Sequence, residues 1–340
     1  MIDAQLGGDV RAALRRDFII GGRPAPIRTL ARGAQASGPW PAVIAIGAFD
    51  GFHLGHRYLI DQMVADARAR GLAAVAVTFD PDPDTVVGGA PAPRLLTVTD
   101  RLRALALSGV DAVVVVPFTR DLASLGHEAF FDDVLAPALD VRAVHVGADF
   151  RLGARGASTV GVIRAWGSAR GIEVNGHDLV GEGGTPITAT RIRSLIGTGE
   201  LAAAAAMLGR NYFVRGCVVR GRGEGTGMGF PTANVARRGV MQMPPDGVYA
   251  AWVLTGRGEA WPAAVNVGLP PMFAADPSSS SLEATLLGFS GDLYGRDVAV
   301  SFAEHLRPPV SFDSRAALID AVKADIERVR SRFGDTPVHL

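Results

Sequence analysis

Two stretches of this chain carry residue types whose spacing could do chemistry. The first is Gly47-Ala-Phe-Asp-Gly-Phe-His-Leu-Gly-His56. His53 and His56 are three apart at the expected start of a helix, so both can face one anion. Glycines let a backbone approach a phosphate closely, and the helix that follows offers free N–H groups and a positive dipole end. A lone His-x-x-His also suits a surface pair or a metal site. Two histidines with no Cys or Glu at ligand spacing make a poor metal site, so phosphate is the better reading. Pro186-Ile-Thr-Ala-Thr-Arg191 leads into a further helix, where Thr188 or Thr190 could cap the unpaired N–H groups and Arg191 could contact phosphate oxygens. The second stretch alternates glycines from Gly221 to Gly229 and runs into Phe230-Pro-Thr-Ala-Asn234. A glycine-rich loop alone is weak evidence, and Thr and Asn after Pro are common turn residues.

These stretches must be held by two different kinds of scaffold. From Ala42 to Val180 apolar runs alternate with helical spacing. Ala42–Ile46, Ala73–Phe79, Ala112–Val116, Val141–Gly147 and Ile172–Val180 read as strands. Leu54–Arg70, Asp100–Ser108, His127–Leu135 and Val160–Arg170 read as helices. Strand–helix alternation with Val- and Ala-rich strands predicts a doubly wound parallel sheet covered on both faces. Ligands bind such sheets beyond the carboxyl ends of the strands, which is where Gly47–His56 lies. Beyond Gly197–Gly209 the pattern changes. Tyr212–Arg220, Val248–Thr255, Ala263–Val267, Leu282–Phe289 and Val298–Phe302 read as strands of an antiparallel barrel. A helix from about Ser314 closes the chain, with Ile319, Val322, Ile326, Val329 and Phe333 in one apolar stripe. The expected organisation is an N-terminal extension over 1–40, an α/β domain over 41–200 and a β-barrel domain over 205–340.

Composition is consistent with this. A chain of 340 residues suggests two domains, and 48% apolar residues supply their cores. Lys plus Arg and Asp plus Glu are both 34, which argues against a nucleic-acid partner. The single cysteine, Cys217, permits no intrachain disulfide and fits a reducing compartment. No signal-peptide pattern and no membrane-length apolar run occurs, so a cytoplasmic protein without membrane association is expected.

The string Gly47–His56, with Thr78-Phe-Asp-Pro-Asp-Pro83, Gly147-Ala-Asp-Phe-Arg-Leu-Gly153 and Thr188-Ala-Thr-Arg-Ile-Arg193 in order, resembles the prokaryotic bifunctional riboflavin kinase/FAD synthetase family. Gly229-Phe-Pro-Thr-Ala-Asn234 and Ser281-Leu-Glu-Ala-Thr-Leu-Leu-Gly-Phe-Ser-Gly-Asp-Leu-Tyr-Gly295 are similar to the kinase half of that family. The resemblance covers roughly residues 40–335. It implies phosphorylation of riboflavin to FMN and adenylylation of FMN to FAD, with ATP, riboflavin, FMN and FAD as partners and Mg²⁺ as cofactor. It assigns catalysis to Glu283 as general base and to His53 and His56. ATP and phosphate fall to Gly47, Phe49, Asp50, Gly51, Gly55, Thr188, Thr190 and Arg191 in the first domain, and to Gly221, Gly223, Gly227, Gly229 and Pro231 in the second. Asp149 is a flavin or substrate contact, and Thr232 and Asn234 are the metal ligands. The chain departs from the family's usual residues at Asp82 (His), Leu152 (aromatic), Ala189 (Ser), Met272 (Thr) and Thr285 (His). Two rival readings stand beside it: an enzyme with one degenerate module, and a non-catalytic flavin-binding regulator. Retention of Glu283 with both histidines opposes the second.

Overall fold

The computed structural model describes residues 3–30, 39–88, 90–179, 181, 184–221, 230–268 and 282–340. They form two units: residues 21–189, and residues 1–20 together with 190–340. The chain therefore contributes to the second unit before it builds the first.

Helix α1 (Asp3–Asp17) belongs to the second unit. The first unit begins with β1 (Ile27–Thr29) and β2 (Trp40–Ile46), then α2 (Leu54–Arg70), β3 (Ala73–Asp80), α3 (Pro83–Val87), α4 (Val98–Ala106) and β4 (Ala112–Pro117). It continues through α5 (Arg120–Ser124), α6 (His127–Ala129), β5 (Leu139–Gly147), the β6 (Arg151–Leu152) and β7 (Ser158–Thr159) hairpin, α7 (Val160–Ser168) and β8 (Glu173–His177). The six main strands are all parallel, in the order β1-β4-β3-β2-β5-β8. Strands β2, β3 and β4 are buried along nearly their whole length, as expected where helices cover both faces of a sheet. One core cluster gathers Ile44, Val77, Val116, Phe131 and Trp166; the other packs Leu59, Ile60 and Met63 of α2 on Val43, Ala74 and Val113. Strands β3 and β5 flank β2, and the chain progresses in opposite directions from that point, which makes the carboxyl end of β2 a topological switch point. The helix expected over His127–Leu135 is a short α-turn followed by a π-turn over Phe130–Leu135.

The second unit resumes at α8 (Ala189–Gly197), whose first residue is counted with the sheet, and α9 (Leu201–Leu208). Strands β9 (Phe213–Val219), β10 (Ala233–Arg237), β11 (Gly247–Leu254), β12 (Glu259–Val267), β13 (Leu282–Leu286) and β14 (Asp297–Arg307) follow. They pair in the order β11-β14-β9-β10-β13-β12, and β11 also pairs with β12, so the antiparallel sheet closes into a six-stranded barrel. Closure removes the free edges of the sheet. Helix α10 (Arg315–Phe333) is capped by Ser314 Oγ, which accepts from Ala317 N–H, and it lays Ile326 and Val329 on the barrel. Arg307 on β14 clamps its buried Asp325 with Nη2–Oδ2 at 2.8 Å. The closing strand β15 (Val338–His339) extends β12.

The N-terminal segment is not a bare extension. Asp17 at the end of α1 is buried and accepts from Asn211 N–H (2.9 Å), Asn211 Nδ2 (3.0 Å) and Ser301 Oγ (3.1 Å). Phe18 stacks edge-on to Phe213. No described helix is long and apolar enough to cross a membrane.

Candidate functional site

The loop between β2 and α2 is built around left-handed backbone. Phe49 (φ 55°), Gly51 (φ 76°) and Phe52 (φ 37°) turn the chain sharply, and two of these residues are not glycine. Such conformations cost energy and persist where the surroundings hold them. Phe49 folds back over Gly47, where a Cβ would meet the ring at 3.2 Å. At Gly55 a Cβ would meet Leu179 Cβ at 3.1 Å and the His53 ring at 3.2 Å. Gly47 N–H donates to Val77 O, and buried Thr78 donates from Oγ1 to Ala48 O. The buried Asp50 carboxylate accepts from the backbone N–H of Leu95 (3.1 Å) and Leu96 (3.1 Å), so it braces the loop.

His53 caps α2: its Nδ1 accepts from His56 N–H at 3.2 Å. That bond needs the lone pair on Nδ1, so the neutral His53 ring carries its proton on Nε2. The two imidazoles stack with centroids 3.6 Å apart, and Phe49 meets His56 edge-on at 5.2 Å. Burial, and secondly the neighbouring His53, hold His56 well below the ordinary histidine range. Its Nδ1 has no hydrogen-bond partner among the described residues. The pair is thus stacked at a helix N-terminus, with His53 buried and His56 kept from charging by its surroundings.

Asp149 follows the carboxyl end of β5, with Oδ1 3.0 Å from where a Cβ on Gly147 would stand. Thr188 immediately precedes α8, and Thr190 and Arg191 lie in its first turn. The structure therefore gathers Gly47, Phe49, Asp50, Gly51, His53, Gly55 and His56 in one loop. Thr190 and Arg191 are counted with the other unit. Asp82 is engaged by Arg101 and by Arg94 Nε (3.0 Å), and the buried Arg101 also donates to Phe79 O. Burial, the largest influence, leaves the Asp82 carboxyl above its ordinary value despite these two cations.

Sequence reasoning did not find the cavity beside this loop. It measures about 750 Å³ and is lined by Gly47 and Ala48 together with Phe79, Phe118, Phe130 and Phe150. Its walls come from the ends of β2, β3 and β4, the π-turn and the β6–β7 hairpin. Only the last is signalled in sequence, by Gly147–Gly153.

In the barrel, Glu283 on β13 stands in register with Asn234 of β10 on one side and Asn266 of β12 on the other. Residues directly paired across strands share a face, with Cβ atoms about 5 Å apart. Leu282 and Ala284 are fully buried while Glu283 and Thr285 are half-buried, which is the expected alternation. Thr232 precedes β10, and Pro231 is exposed. Gly221 passes so close to Asn234 that a Cβ would lie within 2.2 Å of Nδ2. Asn266 Nδ2 donates to Gly268 O at 3.0 Å. Gly223, Gly227, Gly229 and Met272 lie outside the described residues. No group of three His, Cys, Asp or Glu among the described residues could hold a metal alone.

Two protein families match the chain, FAD synthetase over residues 36–191 and riboflavin kinase over residues 208–333. A bifunctional riboflavin kinase/FMN adenylyltransferase of Escherichia coli K12 is 37% identical over 300 residues, covering 86% of this chain and 93% of that protein. One from Bacillus subtilis is 30% identical over 308 residues, covering 86% of this chain and 93% of the relative. A crystal structure solved as a macrolide-efflux protein from Streptococcus pneumoniae aligns with a TM-score of 0.77 at 29% identity, covering 89% of this chain and 98% of the other.

Proposed function

The chain belongs to the bifunctional riboflavin kinase/FMN adenylyltransferase family, and we propose that two separate sets of its residues carry the two transfers. The protein phosphorylates riboflavin to FMN and adenylylates FMN to FAD, using ATP for both.

The barrel performs the first transfer. Glu283 accepts the proton of the riboflavin 5′-hydroxyl as that oxygen attacks the γ-phosphate of ATP. The new O–P bond forms, ADP leaves, and the protein has only to position the groups and neutralise charge. What supports this reading is the register that sets a carboxylate between two asparagine side chains on one face. Thr232 and Asn234 would hold a divalent ion, Mg²⁺ by the oxygen donors on offer. Gly221 leaves room for the Asn234 amide, as a cradle for such a ligand requires. No group of three His, Cys, Asp or Glu among the described residues adds to these two ligands, so phosphate and water would complete the ion's shell. When bound, it supplies charge neutralisation for the polyphosphate.

The sheet performs the second transfer. A phosphate oxygen of FMN attacks the α-phosphate of ATP, the α–β bridging bond breaks, and pyrophosphate leaves. A phosphate monoester is already a nucleophile, so no covalent intermediate and no base are needed. His53 Nε2–H and the N–H groups at the start of α2 stabilise charge on the α-phosphate and leaving group, with Thr188 of the same unit contributing from just before α8. An arriving polyphosphate would raise the affinity of His56 for a proton, opposing the burial that lowers it. The isoalloxazine ring occupies the aromatic cavity next to Gly47, and Asp149, beside the Gly147 backbone, is a further substrate contact.

His53→Ala tests this assignment. Loss of one preorganised donor should lower FAD formation about 10²-fold or more while riboflavin phosphorylation stays at the starting rate. Unchanged FAD formation would remove the histidine from the site.

A further inference from the structure

The aromatic cavity beside Gly47 has a charged margin that neither transfer accounts for. Arg120 at the start of α5, Arg151 on β6 and Arg155 in the β6–β7 turn all line it and are all exposed. None has an ion-pair partner among the described residues. The contrast with nearby arginines is plain, since Arg94 and Arg101 are both paired with Asp82. Arg155 is also held in the left-handed region (φ 55°, ψ 23°) between Gly153 (φ 78°) and Gly156 (φ 64°). A non-glycine residue there costs energy, and such conformations cluster at ligand-binding sites.

We infer that Arg120, Arg151 and Arg155 form the phosphate-recognition margin of the flavin cavity, selecting a flavin monophosphate over the unphosphorylated flavin. The assignment rests on the adenylyltransferase reading of the neighbouring loop. The cavity offers aromatic walls for a planar ring and cations only at its margin, which is complementary to an apolar ring carrying a terminal dianion. Adenylylation must bring that dianion against the α-phosphate of ATP, and the repulsion between them is offset by unpaired guanidiniums. A neutral ribityl hydroxyl gains nothing from them. The discrimination needed by an enzyme that handles both flavins thus sits in this margin.

The test is steady-state FAD formation by the full chain carrying Arg120→Gln, Arg151→Gln or Arg155→Gln. FMN and ATP are varied separately, and lumiflavin, the ring without its side chain, serves as competitive inhibitor. The KM for FMN should rise about tenfold in at least one single variant and further in the triple variant. The KM for ATP and the inhibition constant of lumiflavin should stay within about twofold. Arg142→Gln, which breaks an exposed pair with Asp140, should change none of these. Unchanged KM for FMN in the triple variant, a rise in the KM for ATP instead, or an equal loss of lumiflavin binding would each overturn the assignment. Should a variant fail to fold, the unsubstituted chain still decides. Its KM for FMN in adenylylation should climb steeply with salt while lumiflavin inhibition does not, and salt-independence would refute the margin. A chain that forms no FAD at all under any condition would instead sink the adenylyltransferase reading.

Discussion

Gly221→Ala is a one-methyl perturbation with a calculable target. The added Cβ would stand 2.2 Å from Asn234 Nδ2 and 2.4 Å from Asn234 Cγ. Real Cβ contacts are longer by more than an ångström, so the amide or the strand end must move. Gly221 has no positive φ, so backbone strain does not enter and the clash alone acts. Asn234 is buried and in register with Glu283, so under the proposed chemistry its displacement reaches the reacting groups. Overpacking of this kind costs about 1–3 kcal/mol. Misplacing one transition-state ligand costs about 10²- to 10³-fold in rate. Riboflavin phosphorylation should therefore fall by about 10²-fold, with FMN adenylylation intact. Gly256→Ala is the matched control, since a Cβ there meets nothing within 4 Å. Rates are read by chromatography of the flavins, and folding by thermal melting. A Gly221→Ala protein that phosphorylates riboflavin at the starting rate would refute the cradle.

Two further outcomes follow from His56 and Asp17. His56 is held below its unfolded value, so the unfolded chain binds the extra proton first; this stability is full above about pH 6.5 and is lost as pH falls toward the folded value. Denaturant midpoints of the sheet unit should drop between pH 7 and pH 5, and His56→Asn should shrink that drop; an identical pH slope in both proteins would contradict the burial argument. Asp17→Ala removes the acceptor of three hydrogen bonds in the barrel unit and strands buried donors, so its melting should fall by the equivalent of about 2 kcal/mol or more. A melting curve unchanged by Asp17→Ala would show that α1 does not stabilise the barrel.

Much of the architecture is legible in the sequence because burial on both faces writes itself as apolar runs. Ala73–Phe79 and Ala112–Val116 are such runs, and both lie within parallel strands. The stripe of Ile326 and Val329 on α10 and the alternation around Glu283 were readable for the same reason. Helix α1 was not. It carries Gly7 and Gly8, and its known anchors, Leu14, Asp17 and Phe18, matter only against a partner surface nearly 200 residues away. Strand β10 was hidden because Pro231, Thr232 and Asn234 have turn chemistry, and its ladder to β9 and β13 supplies what propensity does not. The aromatic cavity escaped for a geometric reason: Phe79, Phe118, Phe130 and Phe150 belong to different elements and meet only at the strand ends. The same is true of Arg120 and Arg155. Asp50, read as a phosphate residue, has its carboxylate committed to Leu95 and Leu96, a role no local motif encodes.

The proposed function places the two transfers at two independent sites on one chain, with Glu283 as the base of the first alone. Glu283→Gln preserves shape and removes basicity. Supplied with riboflavin, ATP and Mg²⁺, this protein should form FMN about 10² to 10⁴ times more slowly than the unsubstituted chain. Supplied with FMN instead, it should form FAD at the unsubstituted rate. Normal riboflavin phosphorylation by a protein that melts normally would remove Glu283 from the chemistry, and loss of both activities in a folded protein would contradict the independence of the two sites.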